Sequence, residues 1–189
     1  MTTPDPKGDD GFTLVELLIS CVLLGIILTV VGSLLVSLIT TPKSVTARID
    51  TSNAAQLVLR SIDNGVRNSS DFRLTSPQGN DQLLVARTAQ SGATIAWVCS
   101  AWYYSATDGS IRSTVSTTTI ATAPDAATVA GWTLLDSGVT PSSGTGIFTV
   151  VGQQLLVSFN DVPAGQSSPQ TMTTSVYSRA GSTGSPQCY

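Results

Sequence analysis

The sequence predicts an α+β fold: a long N-terminal helix, half membrane-spanning and half amphipathic, packed on an antiparallel β-sheet. Three observations carry this. Residues 17–41 form a run without any charge and rich in Leu, Ile and Val. Residues 44–67 then place apolar side chains at roughly 3.6-residue spacing. From residue 71 onward, short β-branched and aromatic stretches alternate with Gly, Asn, Asp and Ser. The implied divisions are 1–11, a short polar leader; 12–41, a transmembrane stalk helix; 42–70, its amphipathic continuation; and 71–189, a β-rich globular domain.

The apolar run is long enough for a bilayer, since about 20 residues suffice for a spanning helix. A secretory signal peptide has a shorter apolar core, about 7–15 residues, followed by a small-x-small cleavage site. Here the run is followed by Thr40-Thr41-Pro42-Lys43 instead. One carboxylate, Glu16, stands at its lip. A charge at bilayer depth costs roughly 2.5–3.5 kcal/mol on insertion scales, so such a residue asks for a functional reason. A plain single-pass anchor accounts for the length but not for Glu16. Lys7 on one side and Lys43 and Arg48 on the other leave orientation undecided by the positive-inside rule.

Pro42 predicts a kink or a helix restart just past the run. Downstream, Val45, Ile49, Leu57, Val58, Ile62 and Val66 form the apolar stripe of an amphipathic helix, with Arg48, Asp50, Arg60, Asp63 and Arg67 between them. Gly65 and Asn68-Ser69-Ser70 signal its end. Candidate strands follow at 72–75, 82–88, 94–105, 110–116, 133–135, 146–151, 153–159 and 171–179, with Asp108-Gly109 as a hairpin turn. Residues 121–130, 140–146 and 181–186 read as loops. Trp97 and Trp102 fall on a strand and belong to a core or an interface. Asp108, Gly109 and Ser110 lack the spacing of an EF-hand calcium loop, and a turn explains them.

Composition narrows the function. There is no His, which removes the commonest general base and transition-metal ligand and makes a Ser-His-Asp or Cys-His apparatus impossible. No nucleophile-base-orienter set is visible, so neither an enzyme nor a cofactor is expected. From Lys43 on, eight basic and eight acidic residues cancel. A neutral body lacks the basic stripe of a nucleic-acid surface, and this chain alone is not expected to bind nucleic acid. Of three cysteines, Cys21 lies in the apolar run as a small apolar residue. Cys99 and Cys188 lie in the body and can pair if it is exported; the alternative is two free thiols. A bond would close a loop of about 90 residues and contribute about 4 kcal/mol in the chain-entropy model.

Gly11-Phe12-Thr13-Leu14-Val15-Glu16-Leu17-Leu18 resembles, at every position, the G-F-T-L-[IV]-E-[LVM]-[LM] signature of type IV prepilin-like proteins. The resemblance implies cleavage after Gly11 by a membrane prepilin peptidase and N-methylation of Phe12. It implies that Glu16 pairs with the N-terminal ammonium of a neighbouring subunit in a filament. The partners would be other pilin or pseudopilin subunits, an inner-membrane assembly platform and the bilayer. The N-terminus would face the cytoplasm and the body would lie outside, later in a cell-surface filament of a pilus, type II secretion or competence system. Two departures stand out. The leader is acidic, with Asp5, Asp9 and Asp10 against Lys7, and no Pro interrupts the apolar run near Ser33. The missing Pro favours a minor subunit, and the aromatic strand with its Asp-Gly turn and Arg112 is similar to minor pseudopilins of the J or W kind. A membrane-anchored binding domain outside any filament is the competing class.

Overall fold

The structure is a computed structural model. It describes residues 13–90, 96–163, 165, 167–178 and 187–189, and for 38–44 the backbone alone. Gly11 and Phe12 lie outside the described residues, as do Thr94, Arg179 and the expected loop at 181–186. The chain divides into two compact units, one up to Val45 and one from Thr46 to Tyr189.

One helix, α1 (Leu14–Arg67, 54 residues), begins in the first unit and ends in the second. It runs through Pro42 without the expected restart. Proline's fixed φ near −65° is itself compatible with a helical backbone, although its ring removes one N–H donor. In the body half, Ala55, Val58, Ile62 and Val66 are fully buried. Val45, Ile49 and Leu57, also assigned to the apolar stripe, are instead exposed in this chain. They lie off the line that the sheet covers, and Ala55 replaces them on it.

The strands are β1 (Ser69–Thr75), β2 (Gln82–Gln90), β3 (Ala96–Ser105), β4 (Ser110–Ser116), β5 (Thr133–Asp136), β6 (Val139–Pro141), β7 (Phe148–Val151), β8 (Gln154–Asp161) and β9 (Gln170–Tyr177). They form two antiparallel sheets rather than one. The first runs β1-β2-β3-β4-β5. In the second, β8 pairs with β6 and β7 and also with β9. The break falls at Ser137-Gly138, where Gly138 adopts φ +82° and turns the chain out of the first sheet. Two segments read as loops carry structure. Residues 139–141 form β6, and Ala126–Ala130 form a short helix, α2, capped by the Asp125 carboxylate on Thr128 N–H at 2.7 Å.

The Asp108-Gly109 turn closes the β3–β4 hairpin as expected, with Ser105 opposite Ser110. Gly109 has φ +63°, and its carbonyl accepts from Val139 N at 2.9 Å. The sheets are joined by a side chain that imitates a strand. Gln82 Oε1 accepts from Ile147 N and Phe148 N at 2.7 and 2.8 Å, while Nε2 donates to Phe148 O at 2.9 Å. A Cβ at Gly146 would lie 2.4 Å from the Gln82 carboxamide, so glycine is required for that approach.

Each face of the first sheet has its own core. On one, Leu84, Ala86, Trp102, Tyr104 and Ile111 meet α1 and the inner face of the second sheet, including Phe148, Leu155, Val157 and Phe159. On the other, Leu83, Val85, Ala101 and Tyr103 are covered by Ile120, Val129 of α2, Trp132 and the segment Gln187–Tyr189.

Candidate functional site

The segment that requires a functional account is the first 24 residues of α1. Leu14–Ser37 is long and apolar enough to cross a membrane, and none of its residues is buried in the chain. At 1.5 Å per residue it extends about 36 Å, more than a hydrocarbon core of about 30 Å. Its apolar side chains stand in the open, from Leu14 (81% exposed) to Val36 (63%). Folding of this chain leaves them uncovered, so lipid or other chains must cover them.

Within the segment, three hydroxyls are satisfied by the helix itself. The hydroxyls of Ser20, Thr29 and Ser33 donate to the carbonyls of Glu16, Gly25 and Val30, each at 2.8 Å. That is the condition for hydroxyls at membrane depth. A Cβ added at Gly25 or Gly32 would meet nothing within 4 Å beyond the helix's own neighbouring backbone, which leaves room for another helix to approach there.

The helix start explains part of the motif that sequence spacing alone did not. Thr13 is the N-cap. Its Oγ1 accepts from Glu16 N at 3.3 Å, and its carbonyl accepts from Glu16 N and Leu17 N at 3.1 and 3.2 Å. Thr13-x-x-Glu16 is thus the capping-box pattern, which a search for start signals would have found. Glu16, the one glutamate in the chain, sits in the first helical turn, exposed, where the macrodipole favours an anion. The helix end fixes where this carboxylate stands and leaves its oxygens available to a partner.

Cys99 and Cys188 form a disulfide across 89 residues, with Cα atoms 5.3 Å apart, and Cys21 is a free, exposed thiol. The bond straps Gln187–Tyr189 over the first sheet. Ile120 N donates to Cys188 O at 3.0 Å, the Tyr189 hydroxyl donates to Asp71, and the Arg73 guanidinium lies 5.0 Å from the Tyr189 ring centroid. Burial and the Asp71 contact push the Tyr189 phenol up to about 12. The cleft lined by Asp71, Arg73, Arg87 and Tyr189 is held together by these contacts and by Arg87–Asp71 at 3.7 Å.

Trp102 is a core residue, 3% exposed, and its indole N–H donates to Ser61 Oγ at 2.9 Å. Trp97 is half-buried. Among the described residues, no three His, Cys, Asp or Glu side chains group together.

A family model, the prokaryotic N-terminal methylation motif, matches residues 6–32, spanning Gly11, Phe12, Glu16 and the start of the apolar run. No curated protein and no solved structure matches the chain.

Proposed function

From the N-terminal methylation motif at residues 6–32 we propose that the chain is a type IV prepilin-like protein, a minor structural subunit of a type IV pilus, type II secretion or competence filament. The observation that carries the reading is the pairing of this motif with a helix whose apolar side chains have no cover in their own chain. Prepilin peptidase cleaves between Gly11 and Phe12, removes the acidic leader and methylates the new Phe12 amine. Residues 12–41 anchor the subunit in the cytoplasmic membrane with the body outside. The bilayer covers the stalk until other pilin or pseudopilin stalks replace the lipid during extraction by the assembly platform.

Glu16 then has a definite task. Moving an anion from the headgroups into a bundle of apolar helices is unfavourable unless it is paired. Cleavage supplies the matching cation at the terminus of a neighbouring subunit. Pairing the two sets the axial register of one stalk against the next. The body contributes surface rather than chemistry.

Co-expression with a prepilin peptidase, followed by intact-mass measurement, tests the reading. The expected product lacks residues 1–11 and carries a methyl group on Phe12. A chain that stays intact, with its body outside the membrane, is a plain anchored binding domain. Glu16→Ala should be cleaved normally yet enter filaments poorly; normal incorporation would remove Glu16 from the assembly contact.

A further inference from the structure

Two carboxylates in the body have no counter-charge among the described residues. Asp136 ends β5 in the first sheet and Asp161 ends β8 in the second, and they are only 8% and 2% exposed. Each is half-satisfied: the backbone N–H of Ser137 donates to Asp136 Oδ1 at 2.8 Å, and that of Val162 donates to the Asp161 carboxylate. The other oxygen of each, Oδ2, is buried without a donor. Asp161 stands opposite Val139, three residues along the chain from Asp136, so the two half-satisfied carboxyl groups belong to one junction, where two acceptors can join only if one carries a proton.

The described surroundings supply no cation to the pair. Ile111 of β4 stands opposite Asp136, and Val139 of β6 and Gln170 of β9 stand opposite Asp161. Among the described residues, the strands packed around the pair contribute one cation, Arg112 of β4. Its guanidinium is turned to the carbonyls of Ala130 and Trp132. Asp108, in the turn that abuts Val139, accepts from Ser110 N and adds only negative charge. Tyr104 of β3 is buried with a neutral phenol, raised first by burial and then by Asp81 and Asp108. Tyr177 of β9 pairs with Gln154, at the far end of β8 from Asp161. Among the described residues, a metal ion would find two carboxylates and no third acidic or imidazole ligand grouped with them.

We propose that Asp136 and Asp161 share one proton and, as a carboxylic acid–carboxylate pair, clasp the end of the first sheet to the second, making the junction an acid-tightened latch. Two like charges this close resist ionising together, which delays the second ionisation to higher pH, and the pair titrates as a unit. Burial first, and then the charge of Asp161, push Asp136 up to about 6; burial raises Asp161 as well. Because the folded state holds the proton more tightly than the unfolded chain, the clasp is complete below about pH 4 and is lost as pH rises through about 6.

The test uses the full chain in detergent micelles, with carboxyl-labelled aspartate followed by NMR and amide exchange measured at pH 5 and pH 8. Two carboxyl signals should titrate together, with one step near pH 6. After correction for intrinsic rates, amides of β5, β6 and β8 should open about 10-fold more readily at pH 8 than at pH 5, which lies one unit below the titration near 6. Asp136→Asn supplies a permanent donor to Asp161, and Asp161→Asn does the reverse. Either should reduce that ratio to below about threefold, and the second serves if the first does not fold. Ordinary carboxylate titration in the wild-type chain would overturn the latch, as would an equal pH response in wild type and both variants. Recovery of protection at pH 8 on adding calcium would overturn it too, by giving the pair a metal counter-ion instead of a proton.

Discussion

The two halves of α1 share a backbone and differ in what covers them. In the first, apolar side chains point in every direction, and from Leu14 to Val36 they are more than 40% exposed. In the second, apolar positions are fewer but Ala55, Val58, Ile62 and Val66 are completely buried against the first sheet. A helix apolar all round has no single face for a sheet, so it suits lipid or a bundle. A helix apolar along one line docks on a body and leaves its polar line to water. The difference teaches that hydrophobic content marks the stalk, whereas hydrophobic placement marks the body.

The disulfide offers the largest expected effect on this contrast. Replacing Cys99 and Cys188 by Ser should lower body stability by about 4 kcal/mol in the chain-entropy model, read by denaturant unfolding in micelles, while stalk helicity is unchanged. An unchanged unfolding midpoint would mean that the strap is incidental to the body. Next, Ile62→Ala should cost about 2–5 kcal/mol, the range for truncating a fully buried aliphatic side chain. Leu24→Ala, on the exposed half, should leave the body's unfolding midpoint where it was. Equal losses at both positions would erase the distinction between the halves. Smallest is Gly65→Ala. A Cβ there would meet Trp102 Cη2 at 2.1 Å and Cζ2 at 2.7 Å, so the indole must move, at about 1–3 kcal/mol, with a change in near-ultraviolet circular dichroism.

Local signals carried most of the fold. The apolar run, the helical spacing of Val58, Ile62 and Val66, and the Asp108-Gly109 turn all mark their elements within a few residues. The disulfide was legible because only two cysteines lie outside the apolar run. Residues 139–141 were not legible as a strand, because three residues with a Pro at the end become one only through pairing with the end of β8. The helix Ala126–Ala130 is too short for periodicity, and its Asp125 cap was the one available signal. Gly65 reads in sequence as a helix terminator; in the fold it is the groove that receives Trp102, some 37 residues away. The Gln82 clamp and the Asp136–Asp161 pair join distant segments, and no spacing rule announces such contacts. At the stalk, Glu16 stood out in sequence for its charge, and its spacing from Thr13 also carried the start signal that the helix geometry makes plain.

The strap has a mechanical consequence. Tension drawn through α1 enters the body at β1, the next element along the chain. Tyr189 lies across that strand through Asp71 and Arg73, one residue from a covalent bond to β3. Peeling β1 away therefore pulls on a closed loop. The 89-residue interval from Cys99 to Cys188 is withheld from the extension of a stretched chain, about 300 Å of contour at roughly 3.4 Å per residue. Under load, the oxidised body extends only in its helix, its first two strands and the part of β3 ahead of Cys99.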